Sequence, residues 1–175
     1  MPAFPSQRPP ADQRCFGNAS VEKLMVTIAA TIGDPELAWI FSNCLPSTLD
    51  STIDYRLDAD GLPDTYIITG DIDAMWLRDS AAQVWPCLPL ARADVSLRAM
   101  LEGVIRRQAK CVLLDPYANA FSREPIMGHW QTDRTEMRPG VHERKWEIDS
   151  LAYFLRLSHG YWVATGDLSP FDGTW

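Results

Sequence analysis

Apolar side chains recur at helical spacing along most of this chain, and that period sets its expected architecture. Ser20 is placed to cap a helix carrying Val21, Leu24, Met25, Ile28, Ala29 and Ile32, with Gly33 as its stop. Asp34-Pro35 restarts a second helix with Leu37, Ile40, Phe41 and Cys44 that ends near Pro46, so the two make a helical hairpin. Thr52 to Leu57 and Thr65 to Thr69 are β-prone and flank a turn-rich stretch, which predicts a small β-hairpin. A third helix is expected from about Asp79 to Ala91, with Pro86 and Pro89 breaking its second half. Asp94 caps the clearest helix, whose stripe is Leu97, Leu101, Val104, Ile105, Gln108, Cys111 and Val112. A fifth runs from about Glu147 to Thr165, with Ile148, Leu151, Ala152, Leu155, His159 and Trp162 in its repeat and Gly166 as its stop.

Two stretches lack a period. Residues 1–19 are Pro-rich and predict an extended lead-in, with 20–175 expected to belong to a single domain. Residues 115–144 hold Pro, Gly, Arg and aromatic residues, among them Tyr117, Phe121, Met127 and Trp130. Loops longer than roughly 12–15 residues inside a compact domain are usually functional or disordered. The aromatic content favours an ordered one here. Long ordered loops between helix pairs point to an all-α fold: part of a helical toroid whose loops line a cleft, with a small β-hairpin. Five helices do not close such a toroid, so the chain is expected to be truncated before closure.

Composition narrows the function. With 175 residues, 46% hydrophobic and 22% charged, the chain can hold one cored domain. A formal charge of −7 and the lack of basic runs argue against nucleic acid or an anionic membrane as partner. The N-terminus has no apolar signal core, and no stretch approaches the roughly 18 apolar residues of a membrane span, so a cytoplasmic location is the default expectation. Cys15, Cys44, Cys87 and Cys111 are far apart, and the three histidines form no metal-binding pattern. Four reduced, mostly buried thiols are expected, with one disulfide possible on export. Asn18-Ala19-Ser20 matches a glycosylation sequon, a weak signal. No cofactor or metal is called for.

Two dense patches could carry chemistry. In 70–80, Asp71, Asp73, Trp76, Arg78 and Asp79 stand where a strand-like run gives way to a helix. Carboxylates and a guanidinium fork beside an indole are what a sugar site needs: partners for hydroxyls and a flat apolar plate for the ring. A salt-bridged helix start with Asp73 or Asp79 as cap fits the same residues. In 143–150, Lys145, Trp146, Glu147 and Asp149 repeat the combination at another loop-to-helix junction. Acids in a first helical turn are favoured by the helix dipole, and Asp149 or Ser150 as caps would explain part of it, though not the second Trp. In the long loop, His129-Trp130 is a candidate ligand contact or a packed anchor, and Asp115-Pro116 reads as a turn. His159 reads as a core histidine, and Trp39, Trp85 and Trp162 as core. No phosphate-cradling loop, nucleophile elbow or Ser-His-Asp spacing is present.

Four segments occur in one order: Asn43-Cys-Leu-Pro-Ser-Thr-Leu-Asp50, Thr69-Gly-Asp-Ile-Asp-Ala-Met-Trp-Leu-Arg-Asp-Ser80, Asp115-Pro-Tyr-Ala-Asn-Ala-Phe121 and Glu143-Arg-Lys-Trp-Glu-Ile-Asp-Ser-Leu151. With them the chain resembles glycoside hydrolase family 125, the metal-independent exo-α-1,6-mannosidases. The resemblance implies an (α/α)6 toroid, removal of terminal α-1,6-linked mannose with inversion, and a mannose-containing oligosaccharide as partner. In an inverting reaction one carboxyl protonates the glycosidic oxygen while another activates water on the opposite face. The family's acid is an Asp in an Arg-Pro-Ser-Asp-Asp segment and its base a Glu nearer the C-terminus. Here Arg138-Pro139 is followed by Gly140, so no catalytic residue is assigned and the chain alone is expected to be inactive. What carries over is substrate binding, by Asp71, Asp73, Trp76, Arg78 and Asp79 and by Lys145, Trp146, Glu147 and Asp149. Another toroidal glycosidase, or a non-catalytic carbohydrate-binding helical module, remains the alternative.

Overall fold

The computed structural model describes residues 4–126 and 130–175. Its elements in chain order are α1 (Ala19–Ala29), α2 (Pro35–Cys44), α3 (Ser47–Ser51), β1 (Ile53–Leu57), β2 (Pro63–Ile67), β3 (Met75–Trp76), α4 (Leu77–Val84), α5 (Leu88–Ala91), α6 (Val95–Leu114), β4 (Ala120–Phe121), β5 (Val141–Glu143) and α7 (Ile148–Thr165). No helix of the described residues is long and apolar enough to cross a membrane.

Local chemistry explains most boundaries. Asp34 caps α2, its Oδ1 accepting from the N–H groups of Glu36 and Leu37 ahead of Pro35. The cap of α1 is Asn18 rather than Ser20: Asn18 Oδ1 accepts from Val21 N at 3.0 Å. Ser20 instead donates to Asp94 Oδ2 at 2.6 Å. Asn18 is also buried, with Nδ2 on Asp94 and Ser96, so the folded protein does not present the sequon. The Pro86 and Pro89 region is a 3-10 turn at 85–87 leading into the short α5, because Pro lacks the N–H that a continuous helix would use. Gly166 ends α7 with a left-handed φ of 71°, as expected of a C-terminal glycine stop.

The β1–β2 hairpin pairs Ile53 with Ile67 through to Leu57 with Pro63, about two residues off its expected second strand. A second antiparallel sheet, in the order β3-β4-β5, is absent from the helical reading. Two of its strands come from the segment expected to be an irregular loop, and they are only two and three residues long. A period cannot show in so few residues.

A main core joins the helices to the β1–β2 hairpin, and a smaller cluster of Leu77, Cys111, Ala118, Phe121 and Val141 lies at the second sheet. Helix α6 lies at the centre of the main core with Leu97, Met100, Leu101, Val104 and Ile105 fully buried, between β2 on one side and α5 and α7 on another. From α7 the core takes Phe154, Leu157 and Tyr161. The expected stripe of α7 is therefore a different face: Ile148, Leu155, His159 and Trp162 are exposed. Trp39 and Trp85 are half-buried. The four thiols are free, with Cys15 and Cys44 exposed. Burial pushes Cys87 up to about 11 and Cys111 up to about 12. The lead-in is tied down by Arg8, which pairs with Glu22 and with the buried Asp50 at 2.6 Å.

Two positions test this packing. A Cβ on Gly103 would lie 2.9 Å from the backbone N of Thr65 and 2.3 Å from its Oγ1. Helix propensity alone would make Gly103→Ala stabilising by about 1 kcal/mol. The clash with β2 backbone reverses the sign, and a loss of about 1–3 kcal/mol is expected in denaturant unfolding. At Asp94, desolvation acts to raise the carboxyl, but bonds from Ser20, Leu97 N, Ser96 and Asn18 together hold it below its usual range. A depressed folded value means that the stabilisation is complete above the unfolded value of about 4 and fades as pH falls below it. Asp94→Asn should flatten that acid limb of the stability curve, and Asp94→Ala should also lose about 1 kcal/mol of capping at neutral pH.

Candidate carbohydrate site

The short three-stranded sheet brings the two acidic junctions together. β3 runs directly into α4, and β5 leads through a short connection into α7, while β4 lies between them. Met75 pairs with Phe121 and Trp76 with Ala120 on one side of β4. On the other, Ala120 pairs with Glu143 and Phe121 with Val141 across an irregular step.

Asn119, 1% exposed, closes this arrangement. Its backbone carbonyl accepts from Leu77 N, the first residue of α4, at 3.2 Å, and its N–H donates to Glu143 O at 3.2 Å. Its side chain donates from Nδ2 to Glu143 Oε1 at 2.8 Å and accepts at Oδ1 from Lys145 N at 3.0 Å. Nearby, the buried Asp115 accepts from Tyr117 N and from Arg144 Nε at 2.7 Å, and the Arg144 guanidinium lies over the Tyr117 ring. Asp115, Asn119 and Arg144 thus fix the junctions, and single-residue reading misses all three. The signal was the polar content of Asp115–Phe121, which a turn explains only in part.

Neither helix start uses its acids as caps. Trp76 and Glu147 occupy the N-cap positions of α4 and α7, and neither makes a side-chain cap bond. The carboxylates converge instead on Arg78: Nη1 donates to Asp149 Oδ2 at 3.0 Å and to Glu147 Oε2 at 3.2 Å. Asp79 Oδ2 sits 3.4 Å from Arg78 Nη2. The salt-bridged alternative is therefore realised, but across two helices sixty-nine residues apart in sequence. The hydrogen bond from Arg78 to Asp149 leads the effects that raise the guanidinium above its ordinary value, so the group stays charged at any working pH.

Exposure decides what this cluster contributes. The four side chains keep between 36 and 40% of their surface. Exposed pairs of that kind add at most about 1 kcal/mol each, so the cluster is a weak stabiliser. Within it, Asp79 Oδ2 and Asp149 Oδ1 are buried with no hydrogen-bond partner among the described residues. Two fixed acceptors, set around a charged fork, suit a ligand rich in hydroxyl groups.

The other expected residues are placed differently. Trp76 is half-buried with its ring edge-on to His142, centroids 5.5 Å apart. Asp71 and Asp73 are exposed on the turn before β3, Asp71 accepting from Thr69 at 3.2 Å. Among the described residues neither pairs with Arg78. Lys145 turns to Glu143 at 3.4 Å and lies over the Trp130 ring, and Trp146 is 58% exposed. His129 lies outside the described residues. His159 is on the outer face of α7 rather than in the core. No three His, Cys, Asp or Glu side chains of the described residues are grouped as metal ligands.

Removing the clip should be costly. Asn119→Ala leaves Lys145 N without its acceptor and Glu143 Oε1 without a donor in a part-buried setting. A loss of about 2–4 kcal/mol is expected in thermal or denaturant unfolding. A change under about 0.5 kcal/mol would show that the junctions hold each other without Asn119.

The Meiotically up-regulated gene 157 protein of Schizosaccharomyces pombe is 40% identical over 180 residues, a match covering 98% of this chain and 35% of that protein. A metal-independent α-mannosidase of Streptococcus pneumoniae, solved in a non-productive substrate complex with α-1,6-mannobiose, is similar at a TM-score of 0.82 and 40% identity. That likeness covers 91% of this chain and 37% of the pneumococcal one. The chain thus spans about a third of the length of these relatives. Residues 34–175 match the model of the metal-independent α-mannosidases, and the chain belongs to that family, glycoside hydrolase family 125.

Proposed function

We propose that this chain is the N-terminal, sugar-binding portion of an (α/α)6 mannosidase domain that removes terminal α-1,6-linked mannose with inversion. The observation that carries the reading is the convergence of Asp79, Glu147 and Asp149 on Arg78 where α4 and α7 begin. Such a fork holds carboxylate oxygens at fixed angles, and a hexose offers hydroxyls that can donate to them and accept from the guanidinium. Trp146, exposed beside Glu147, supplies an apolar plate of the kind sugar rings stack on. The pneumococcal relative's complex with α-1,6-mannobiose supports the choice of linkage.

Catalysis needs more than this cluster. An inverting glycosidase requires two carboxyl groups roughly 6.5–9.5 Å apart, with space between them for sugar and water. The carboxylates gathered here share one guanidinium and hold position around it. Their role is binding, and the proton-transferring pair is assigned to the remainder of the domain that the longer relatives carry.

The test compares two preparations. The 175-residue chain alone should release no mannose from α-1,6-mannobiose. A protein carrying this chain followed by the rest of a family member's domain should release it. In that protein Arg78→Ala should lower kcat/KM about ten- to a hundredfold, the worth of one or two charged hydrogen bonds. Mannose release by the chain alone, or unchanged kinetics in a folded Arg78 variant, would overturn the assignment.

A further inference from the structure

Helix α7 is apolar on two opposite sides. Its inner side, with Phe154, Leu157 and Tyr161, is covered by α4, α5 and α6. Its outer side carries Ile148, Leu155, Trp162 and Val163, exposed by 75, 54, 47 and 64%. A helix that is hydrophobic all round belongs in an interior, with a neighbour on each side. The segment after α7 extends this outer surface: Leu168, Phe171 and Trp175 face Leu155, His159 and Trp162 across a groove of about 390 Å³.

The groove's chemistry selects its occupant. Its hydroxyl, Ser158 Oγ, already accepts from Trp175 Nε1 at 3.1 Å. Phe171 and Trp175 pack edge to face, with ring centroids 5.0 Å apart. Besides the Ser158–Trp175 bond, the lining residues offer only the His159 ring and the Trp162 indole N–H as side-chain polar groups. A sugar needs several convergent donors and acceptors, so this groove does not suit one. It suits the apolar ridge of a packed helix. Contiguous exposed apolar surface of this kind on a folded protein marks a protein interface.

We infer that the outer face of α7, with Leu168, Phe171 and Trp175, is the seat of an amphipathic helix from the part of the mannosidase domain that this chain does not span. The matched relatives are long enough to supply it, since the chain covers 35% of one and 37% of the other. The inference rests on family membership and not on the sugar assigned above. It also places the covering helix on the same element whose first turn holds Glu147 and Asp149. The sugar-binding end of α7 is then set by packing on both of its sides.

The experiment co-expresses this chain, affinity-tagged, with the unmatched remainder of the fission-yeast relative as a separate polypeptide. A stable one-to-one complex is expected by size-exclusion chromatography with light scattering. Leu155→Asp with Trp162→Asp should reduce recovery of the partner at least tenfold, and Leu168→Asp alone should do so in part. Val26→Asp, on the exposed side of α1, should leave it unchanged. All four positions are exposed, and unaltered thermal melts of the variants confirm that folding is intact. No complex with the wild-type chain, or a complex indifferent to the α7 variants, overturns the inference. Dimers of the chain alone that the same variants dissolve would also overturn it, by making a second copy the occupant. Complex formation is read without substrate, so a complex that hydrolyses no mannoside would sink the assigned activity and leave this interface standing.

Discussion

The acidic end of this molecule depends on a constraint that is almost entirely backbone: strands of two and three residues must pair so that two helices start side by side. Sheets this small have little stability of their own, since isolated short pairings are marginal in water. Asn119 makes the arrangement hold by combining ladder bonds to Leu77 and Glu143 with side-chain bonds to Glu143 and Lys145. Tyr66 adds a hydroxyl bond to Phe121 O at 3.0 Å, linking the β1–β2 hairpin to the second sheet. Gln108, fully buried on α6, donates to Leu77 O and Ser80 Oγ and so braces the first turn of α4 from below. Buried polar groups with this many partners specify one geometry, because any shift leaves several of them unsatisfied.

That rigidity changes what the carboxylates at the surface can do. Acids in a first helical turn are already favoured by the helix dipole and could have served as caps. Here the N-cap positions hold Trp76 and Glu147 without side-chain cap bonds, and Asp79, Glu147 and Asp149 reach Arg78 instead. The pairs are too exposed to matter much to stability, yet their positions are fixed by the buried network beneath them. A cluster that adds little to folding while leaving buried acceptors unused is the arrangement expected of a binding surface.

Helical period was enough to find α1, α2, α6 and α7, because amphipathic stretches of ten residues or more average out local exceptions. Their caps were legible where the residue acts locally, as at Asp34, Asp94 and Gly166. They were not legible where it acts at a distance: Ser20 leaves its own helix start to join Asp94, seventy-four residues on. Of the site, the residue types of the two junctions were visible, but their meeting was not, since it is made by β4 from the segment that has no period. Asp71 and Asp73 show the limit from the other side. They fall in the same stretch of sequence as Arg78, yet among the described residues neither pairs with it.

The reversed face of α7 has a physical cause rather than being a failure of the period. A helix with apolar residues on two sides gives a repeat whichever side is counted, and sequence alone does not say which side meets the nearest neighbours. The outer set of Leu155, His159 and Trp162 repeats as clearly as the inner set of Phe154, Leu157 and Tyr161, and only the packing of α4, α5 and α6 separates them. Leaving such a face in water costs roughly 25 cal/mol for each Å² of apolar area. That cost is a driving force directed to one place, the same helix that presents Glu147 and Asp149. Covering the face would hold α7 between two layers, and any slack at its first turn would diminish with it. The Arg78 cluster and the exposed groove are therefore linked through one rigid element: what packs on the groove also bears on how firmly Arg78 keeps its carboxylates in place.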